Sequence, residues 1–245
     1  MTSDLRAGPL AARRTAGGKL LAVLDAFPRE RPALTLSDIA RDVGVPLSTA
    51  HRLVAELCAW GGVERDEDGR YRVGLRVWEL GALAPRGLGL REAALPFMED
   101  LYEVTHENVQ LAVRDGTDLV FVERIAGRSA VGVLTRVGGR FALPPTGVGL
   151  VLLAHAPLEV QEEVIARPLV RYTRHTITDP GQLRRVLAEV RRSGMAISDR
   201  QVTADAVSVA APVEVRGSSP SAVRPYIPGV RAAALGIGRT LASTP

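Results

Sequence analysis

The chain has 245 residues, of which 46% are hydrophobic and 24% are charged, proportions typical of a globular protein and not of a disordered one. No run reaches the roughly 20 apolar residues of a membrane-spanning helix and no secretory signal opens the chain, so we expect a cytoplasmic protein without a membrane partner. Cys58 is the single cysteine, which excludes an internal disulfide and suggests a small apolar filler.

The net charge of +4 fits an anionic partner, but the positive charge is not concentrated near the start of the chain. Residues 1–80 contain 12 Lys and Arg against 11 Asp and Glu. Any basic surface there has to come from where the arginines lie, because the total charge is close to zero.

Residues 1–12 are small and polar without periodicity, and we expect them to be disordered. Residues 13–27 are predicted to form an amphipathic helix that Pro28 ends. Its apolar positions recur at helical spacing: Leu20, Val23, Leu24 and Phe27. Arg13 and Arg14 at its start either reach phosphate or are ordinary solvated residues.

The stretch over residues 35–57, TLSDIARDVGVPLSTAHRLVAEL, has the spacing of a helix-turn-helix. Ser37 is suited to cap the first helix, because its hydroxyl can accept from amides of the first turn. Gly44 is predicted to end that helix in a left-handed conformation, and Pro46 suits the first turn of the next because it lacks an N–H. An ordinary helical hairpin is the alternative interpretation.

The second helix is expected to turn Ala50 and Leu53 inward and to present a polar face near its N-terminus. A recognition helix offers its side chains to base edges from that end, in the major groove of DNA. The candidate base-contacting residues are Ser48, Thr49, His51 and Arg52.

Two short strands joined by a tight polar turn are predicted over residues 63–66 and 70–73. A β-hairpin beside a recognition helix is a wing, and its cations suit the phosphate backbone. The candidates are Arg65, Arg70 and Arg72, with Tyr71 beneath the hairpin or against sugar. We therefore predict a winged helix-turn-helix domain over residues 13–74, and a linker helix over residues 75–90.

Residues 91–245 are predicted to form a second domain of α+β class. Helices and strands follow one another without regular alternation, which favours an antiparallel sheet with flanking helices and a cavity for a small molecule. After a helix from Leu90, the predicted strands cover residues 108–113, 119–125, 130–136, 195–198 and 207–215. The predicted helices cover residues 148–154, 158–166, 180–193 and 230–242.

No catalytic, metal or cofactor site is predicted. The four histidines are scattered without the pairing of a zinc site, and there is no nucleophile elbow, phosphate loop or dinucleotide fingerprint. Asp115 and Asp118 are better interpreted as hairpin-turn residues than as catalytic carboxylates. We therefore expect a binding protein and not an enzyme.

Over residues 13–242 the chain resembles the IclR family of bacterial transcription regulators. The resemblance is carried by residues 36–40, 48–53, 64–66, 69–74, 91–94 and 210–213. It implies a winged helix-turn-helix, a linker helix and a GAF-like domain for effector binding and oligomerisation. It also implies a regulator, more often a repressor, that binds a double-stranded DNA operator as a homodimer or a dimer of dimers.

The family resemblance also implies an effector site, for a small organic acid or an aromatic metabolite. Gly147 matches a family glycine whose N–H at a helix N-terminus can hold a carboxylate. Relatives commonly carry Asp where Ser198 stands, so either Ser198 or the following Asp199 is implied. The implied site residues are Thr146, Gly147, Ser198, Asp199 and Ser208.

Three departures from the family pattern bear on function. No lysine follows Gly147, where relatives usually have one. About 5 to 10 residues, a strand's worth of chain, are missing near residues 215–225, so we expect a sheet edge to be absent or replaced by a loop. Leu47 stands where relatives usually have Lys, which removes a phosphate contact. A regulator with a degenerate sensory domain is therefore the main alternative, and an enzyme with an accessory DNA-binding domain is the third.

Overall fold

The structure, a computed structural model, describes residues 15–28, 31–84, 88–126, 135–213, 230 and 232–233. The chain divides into two compact units, Met1–Ala84 and Pro85–Pro245. Helices and antiparallel sheets are mixed, as predicted. The predictions for residues 1–14, for the missing strand and for most of the last helix lie outside the described residues. No helix in the described part of the chain is long and apolar enough to cross a membrane.

The described residues of the first unit form four helices and a hairpin: α1 (Ala16–Asp25), α2 (Leu36–Val43), α3 (Leu47–Trp60), β1 (Val63–Arg65), β2 (Tyr71–Val73) and α4 (Leu75–Ala82). One apolar cluster joins α1, α2, α3 and the hairpin. Its buried members are Val23, Leu34, Ile39, Leu53, Val54, Leu57 and Val63. The apolar face predicted for α1 packs into this cluster, and Cys58 is partly buried against it as the expected filler.

Helix α2 begins with a capping box, but its cap is not the predicted residue. Thr35 Oγ1 accepts from the Asp38 amide at 3.1 Å, and the Asp38 carboxylate accepts from the Thr35 amide at 3.2 Å. The prediction of Ser37 as the cap is wrong, because α2 begins at Leu36 and Ser37 lies inside its first turn. Spacing alone did not distinguish two hydroxyl residues two positions apart.

The hairpin is fixed to both helices of the helix-turn-helix. Strands β1 and β2 pair antiparallel, with Arg65 opposite Tyr71. Leu34, in the loop before α2, exchanges two backbone hydrogen bonds of 2.8 Å with Tyr71. At the other end, a Cβ on Gly74 would lie 2.2 Å from the carbonyl oxygen of Gly61, so the chain can pass the end of α3 only with glycine there.

The second unit contains helices α5 (Leu88–Thr105), α6 (Gly147–Ala154), α7 (Leu158–Ala166) and α8 (Pro180–Ser193), and strands β3 (Val109–Asp115), β4 (Asp118–Ile125), β5 (Arg140–Ala142), β6 (Ala196–Asp199) and β7 (Val207–Ala210). The bounds predicted for α7 and α8 are confirmed. Local signals fix α8, since Asp179 caps it through the Gln182 amide and Gly194 ends it at φ 72°.

The third strand of the meander is β5, and the prediction of a strand over residues 130–136 is not confirmed. Residues 130–134 lie outside the described chain, and residues 135–136 are not in a strand. Strand β5 pairs with β4, placing Phe141 opposite Leu119. Three residues are too few to show an alternating pattern, so only the pairing with β4 reveals this strand.

The described strands of the second unit form two sheets, ordered β3-β4-β5 and β6-β7. One helical layer covers both, because Leu119 and Phe121 of the first sheet share a core cluster with Ala196 and Ala210 of the second and with α6, α7 and α8. Helix α5 packs against β3 through a separate cluster: Ala94, Met98, Val109 and Leu111. The two sheets therefore share one core with the same helices.

Candidate nucleic-acid interface and ligand site

The turn between α2 and α3 orients the second helix of the motif. Gly44 has φ 73°, a left-handed conformation that glycine adopts without strain, and its amide donates to the Ala40 carbonyl at 3.0 Å. The Val45 amide donates to the same carbonyl at 3.0 Å. Pro46 is the N-cap of α3 and not, as predicted, a residue of its first turn. Its extended conformation ends the turn where α3 begins.

Helix α3 has one buried face and one exposed polar face. Its buried residues are Ala50, Leu53, Val54 and Leu57, which confirms the predicted inward positions of Ala50 and Leu53. Of the candidate base-contacting residues, Ser48, His51 and Arg52 are exposed and Thr49 is partly buried. All four lie in the first two turns of α3, and we call this set the recognition face.

Arg52 is held by one ion pair among the described residues, and DNA can replace it. Its Nη1 lies 2.8 Å from Glu56 Oε1, one turn further along α3, and both side chains are largely exposed. An exposed pair at this spacing contributes about 0.3–0.5 kcal/mol. A base edge or a phosphate can therefore take the guanidinium from Glu56 at small cost.

The three arginines of the wing are held in different ways. Arg65 lies over the Tyr71 ring, its Cζ 5.7 Å from the ring centroid, and its Nε donates to the Gly69 carbonyl at 3.3 Å. Arg72 Nη2 pairs with Asp66 Oδ2 at 3.1 Å. The Arg70 side chain is exposed, and no carboxylate within the described part of the chain pairs with it. Arg70 is thus the wing cation most available to a phosphate.

Carboxylates of the wing and of helix α2 pair with arginines close to them. The Arg70 amide and then the Arg72 guanidinium lower the pKa of Asp66. On α2, Arg41 bonds Asp38 at 2.6 Å and Asp42 at 3.2 Å, so this arginine is neutralised within its own helix. Among the described residues of the first unit, Arg70 of the wing and Lys19 of α1 lie outside such pairs, and Arg52 of α3 is held by one exposed pair.

Four of the five implied effector residues meet around the start of α6. Thr146 caps this helix, its Oγ1 accepting from the Gly149 amide at 3.0 Å. A Cβ on Gly147 would lie 2.9 Å from Ser208 Oγ, so these two residues are adjacent. Ser198 stands opposite Ser208 in the β6–β7 pair and donates to the Pro145 carbonyl at 2.9 Å.

Asp199 is turned to another partner. Its carboxylate accepts from Arg200 Nε at 2.7 Å and from Nη2 at 2.9 Å, and these hydrogen bonds lower its pKa. Asp199 is exposed whereas Ser198 is buried, as alternation along β6 requires. The sequence left open whether Ser198 or Asp199 belongs to the effector site. The structure places Ser198 beside the start of α6 and pairs Asp199 with Arg200.

A cavity of about 420 Å³ lies between the edge of β3 and the chain that follows β7. Residues 109–114 of β3 all line it. Successive side chains of a strand point to opposite faces, so a cavity lined by six in a row borders the edge of the strand. The other lining residues are Leu90, Met98, Leu101, Val148, Val151, Leu152, Ala211, Pro212, Val213, Val230 and Ala233.

None of the five implied effector residues lines this cavity. Sequence reasoning placed all but one of the lining residues in strands and helices, with Arg114 in a turn, but did not bring them together. The nearest signal is Val148, which follows Gly147 directly and lines the cavity. A cavity lined by segments that are distant in sequence leaves no local sequence pattern, because tertiary packing brings its lining residues together.

The first unit is a winged helix-turn-helix, a DNA-binding class, and the second is an α+β domain with a cavity. Comparison with known families matches both parts. Residues 18–67 match the IclR helix-turn-helix domain, and residues 84–224 match the bacterial transcriptional regulator IclR C-terminal domain. The chain belongs to the IclR family of bacterial transcriptional regulators, and it is a DNA-binding regulator of transcription.

Relatives of known name or structure are similar over most of the chain. The HTH-type transcriptional regulator KipR of Bacillus subtilis is 33% identical over 196 residues, 80% of this chain and 78% of that protein. The HTH-type transcriptional repressor AllR of Klebsiella pneumoniae is 30% identical, over 74% of this chain and 67% of that one. A crystal structure of an IclR homolog from Microbacterium hydrocarbonoxydans, complexed with 4-hydroxybenzoate, is 39% identical, with a TM-score of 0.87 over 92% of this chain and 98% of that one.

Proposed function

We propose that this protein is a repressor that binds an operator in the cytoplasm and releases it when a small organic acid or an aromatic metabolite binds its second unit. The observation that carries the proposal is the exposed recognition face at the start of α3, beside a wing of arginines. Repression is supported by the relative named as a repressor. An effector is supported by the relative complexed with 4-hydroxybenzoate.

The protein acts as a homodimer or a dimer of dimers, so that two copies of α3 enter successive major grooves. Half-sites of such an operator lie about 34–36 Å apart, one helical turn of DNA, or a multiple of it. The recognition face chooses the sequence, whereas Arg65, Arg70, Tyr71 and Arg72 contact the backbone and set the affinity.

The effector lies at the start of α6. Backbone amides at a helix N-terminus attract a carboxylate, and Gly147 keeps that end free of a side chain. Ser208 stands beside it, with Thr146 and Ser198 close by, whereas Asp199 can take part only by leaving Arg200. The apolar body of the effector enters the cavity, since Val148 follows Gly147 in α6 and also lines the cavity. The effector regulates only through its different affinity for the two arrangements of the DNA-binding domains.

Two experiments test this function. Selection from random DNA with the full-length protein is expected to give a palindrome, which fluorescence anisotropy then shows to bind more tightly than scrambled DNA. Thermal unfolding is next measured with 4-hydroxybenzoate and a panel of organic acids. A ligand present at a hundred times its Kd adds about 2.7 kcal/mol of stability and is expected to weaken operator binding. Failure to select any sequence overturns the proposal.

A degenerate sensory domain is the second candidate, and two observations favour it. The sheets β3-β4-β5 and β6-β7 are separate among the described residues, and the Asp199 carboxylate is already paired with Arg200. In that case the same panel leaves the unfolding temperature unchanged while operator binding persists. The thermal experiment therefore separates the two candidates directly.

A further inference from the structure

Leu47 is an exposed apolar side chain at the end of the helix that enters DNA. It is the first residue of α3 and is 53% exposed. It takes no part in the apolar cluster that holds the first unit together. Its neighbours on α3 are the exposed Ser48 and, one turn further on, the exposed His51. Packing among the described residues therefore gives Leu47 no role.

Its position matters more than its exposure, because single apolar residues are common on protein surfaces. Trp60, the other large apolar side chain exposed on α3, is at the opposite end of this helix. In a helix-turn-helix, side chains at the N-terminal end of the second helix meet the base edges. Leu47 thus enters the major groove if α3 does.

The chemistry of the groove restricts what a leucine can contact there. A leucine side chain has no donor or acceptor, so it forms no hydrogen bond with a phosphate, with guanine or with adenine. The C5-methyl of thymine is the apolar group that bases present in the major groove, and apolar side chains recognise it by contact. Contact between the two removes both from water.

We propose that Leu47 is a specificity residue that reads a thymine C5-methyl in each half-site of the operator. This inference rests on the proposed function, because it requires α3 to lie in the major groove. Sequence choice then has two parts. Ser48, Thr49, His51 and Arg52 recognise bases by hydrogen bonds, and Leu47 recognises one base by apolar contact alone.

The test removes the methyl group from the DNA and the leucine from the protein, singly and together. Each thymine of the selected operator is replaced in turn by deoxyuridine, which lacks only the C5-methyl. Full-length wild type and Leu47→Ala are titrated by anisotropy at fixed salt. The matched control is Leu158→Ala, because Leu158 is also the first residue of a helix after a proline N-cap, is 66% exposed and lies in the second unit.

One thymine per half-site is expected to respond. For wild type and Leu158→Ala, deoxyuridine there weakens binding about fourfold, the value of one buried methyl group. For Leu47→Ala the same replacement leaves the affinity unchanged, and its affinity for the thymine operator is already reduced. The unfolding temperatures of the two variants should agree with that of wild type, because neither leucine is in a core.

Two results overturn the inference alone: no thymine responds in wild type, or deoxyuridine weakens Leu47→Ala as much as wild type. Either leaves the proposed function intact, because the operator is still selected and bound. Failure to select any operator overturns the proposed function, and the inference falls with it.

Discussion

Gly147 and Ser208 lie so close together that a Cβ at position 147 would stand 2.9 Å from the Ser208 hydroxyl oxygen. One begins helix α6 and the other belongs to β7, so the positive end of a helix lies beside a hydroxyl. A serine side chain can rotate away from an added group. An added Cβ at position 147 should therefore fit, because the next nearest atoms, Ala210 Cβ and the Ser208 carbonyl oxygen, would lie 3.6 Å from it.

Gly147→Val is expected to abolish effector-driven release of the operator and to spare operator binding, because the two functions lie in different units. Anisotropy with labelled operator, titrated with the acid found by thermal shift, measures both. Ser208→Thr adds one methyl group at the same place and should weaken the response less. An equal effector response in wild type and in Gly147→Val would remove this site from the protein.

Gly149→Ala should instead destabilise the second unit, because a Cβ there would lie 2.0 Å from the Leu143 carbonyl oxygen. Backbone cannot rotate away, and overpacking of this kind costs about 1–3 kcal/mol or more. Urea unfolding of the full-length chain measures the loss. Gly89→Ala is the control, since a Cβ on this helical glycine of α5 meets nothing within 4 Å. Equal stability of the two variants would contradict the expected clash.

Arg52→Ala is expected to weaken specific operator binding by about 1–3 kcal/mol, the value of a good side-chain contact with a base. The fold should be unaffected, because the partner of Arg52 in the described structure is the exposed Glu56. Anisotropy at fixed salt compares operator with scrambled DNA. Arg192→Ala removes a similarly paired, exposed helical arginine from the second unit and should change neither affinity. Unchanged operator affinity in Arg52→Ala would reject its recognition role.

Arg70→Ala should weaken operator and scrambled DNA to the same degree, because a phosphate contact carries no sequence information. The slope of log affinity against log salt is expected to become less negative by about 0.9 per subunit. Titrations between low and moderate salt give this slope. If Arg70→Ala changes the affinity for one sequence only and leaves the slope as it was, the wing reads bases and not phosphates.

Asp38 should make the free energy of unfolding depend on pH in acidic solution. The Thr35 hydroxyl, and then Arg41, lower the pKa of Asp38 from 3.8 to about 2. Because the folded pKa is the lower one, the stabilisation is complete above pH 3.8 and is lost as the pH falls towards 2. The difference in unfolding free energy between wild type and Asp38→Asn should therefore shrink over that window. A stability difference that does not change with pH would refute this role of Asp38. Thr35→Ala should narrow the pH range over which the stabilisation is lost, because it removes the hydroxyl that lowers the pKa of Asp38 most.

Much of the DNA-binding unit could be predicted from sequence, because its signals are local. Gly44 and Gly194 end their helices in the left-handed backbone conformation that glycine adopts without strain. Pro46 separates α2 from α3. The buried and exposed faces of α3 also follow from spacing within a single helix. The sequence thus determined the class of the protein and which residues are exposed on α3.

Only the tertiary structure decided the second unit. Strand β5 exists because three residues pair with β4, and the cavity exists because β3 and the chain after β7 stand apart beneath one helical layer. Gly147 and Ser208 meet for the same reason, across a long stretch of chain. Contacts between distant segments depend on how helices and strands pack together, and no local spacing of residues records that packing.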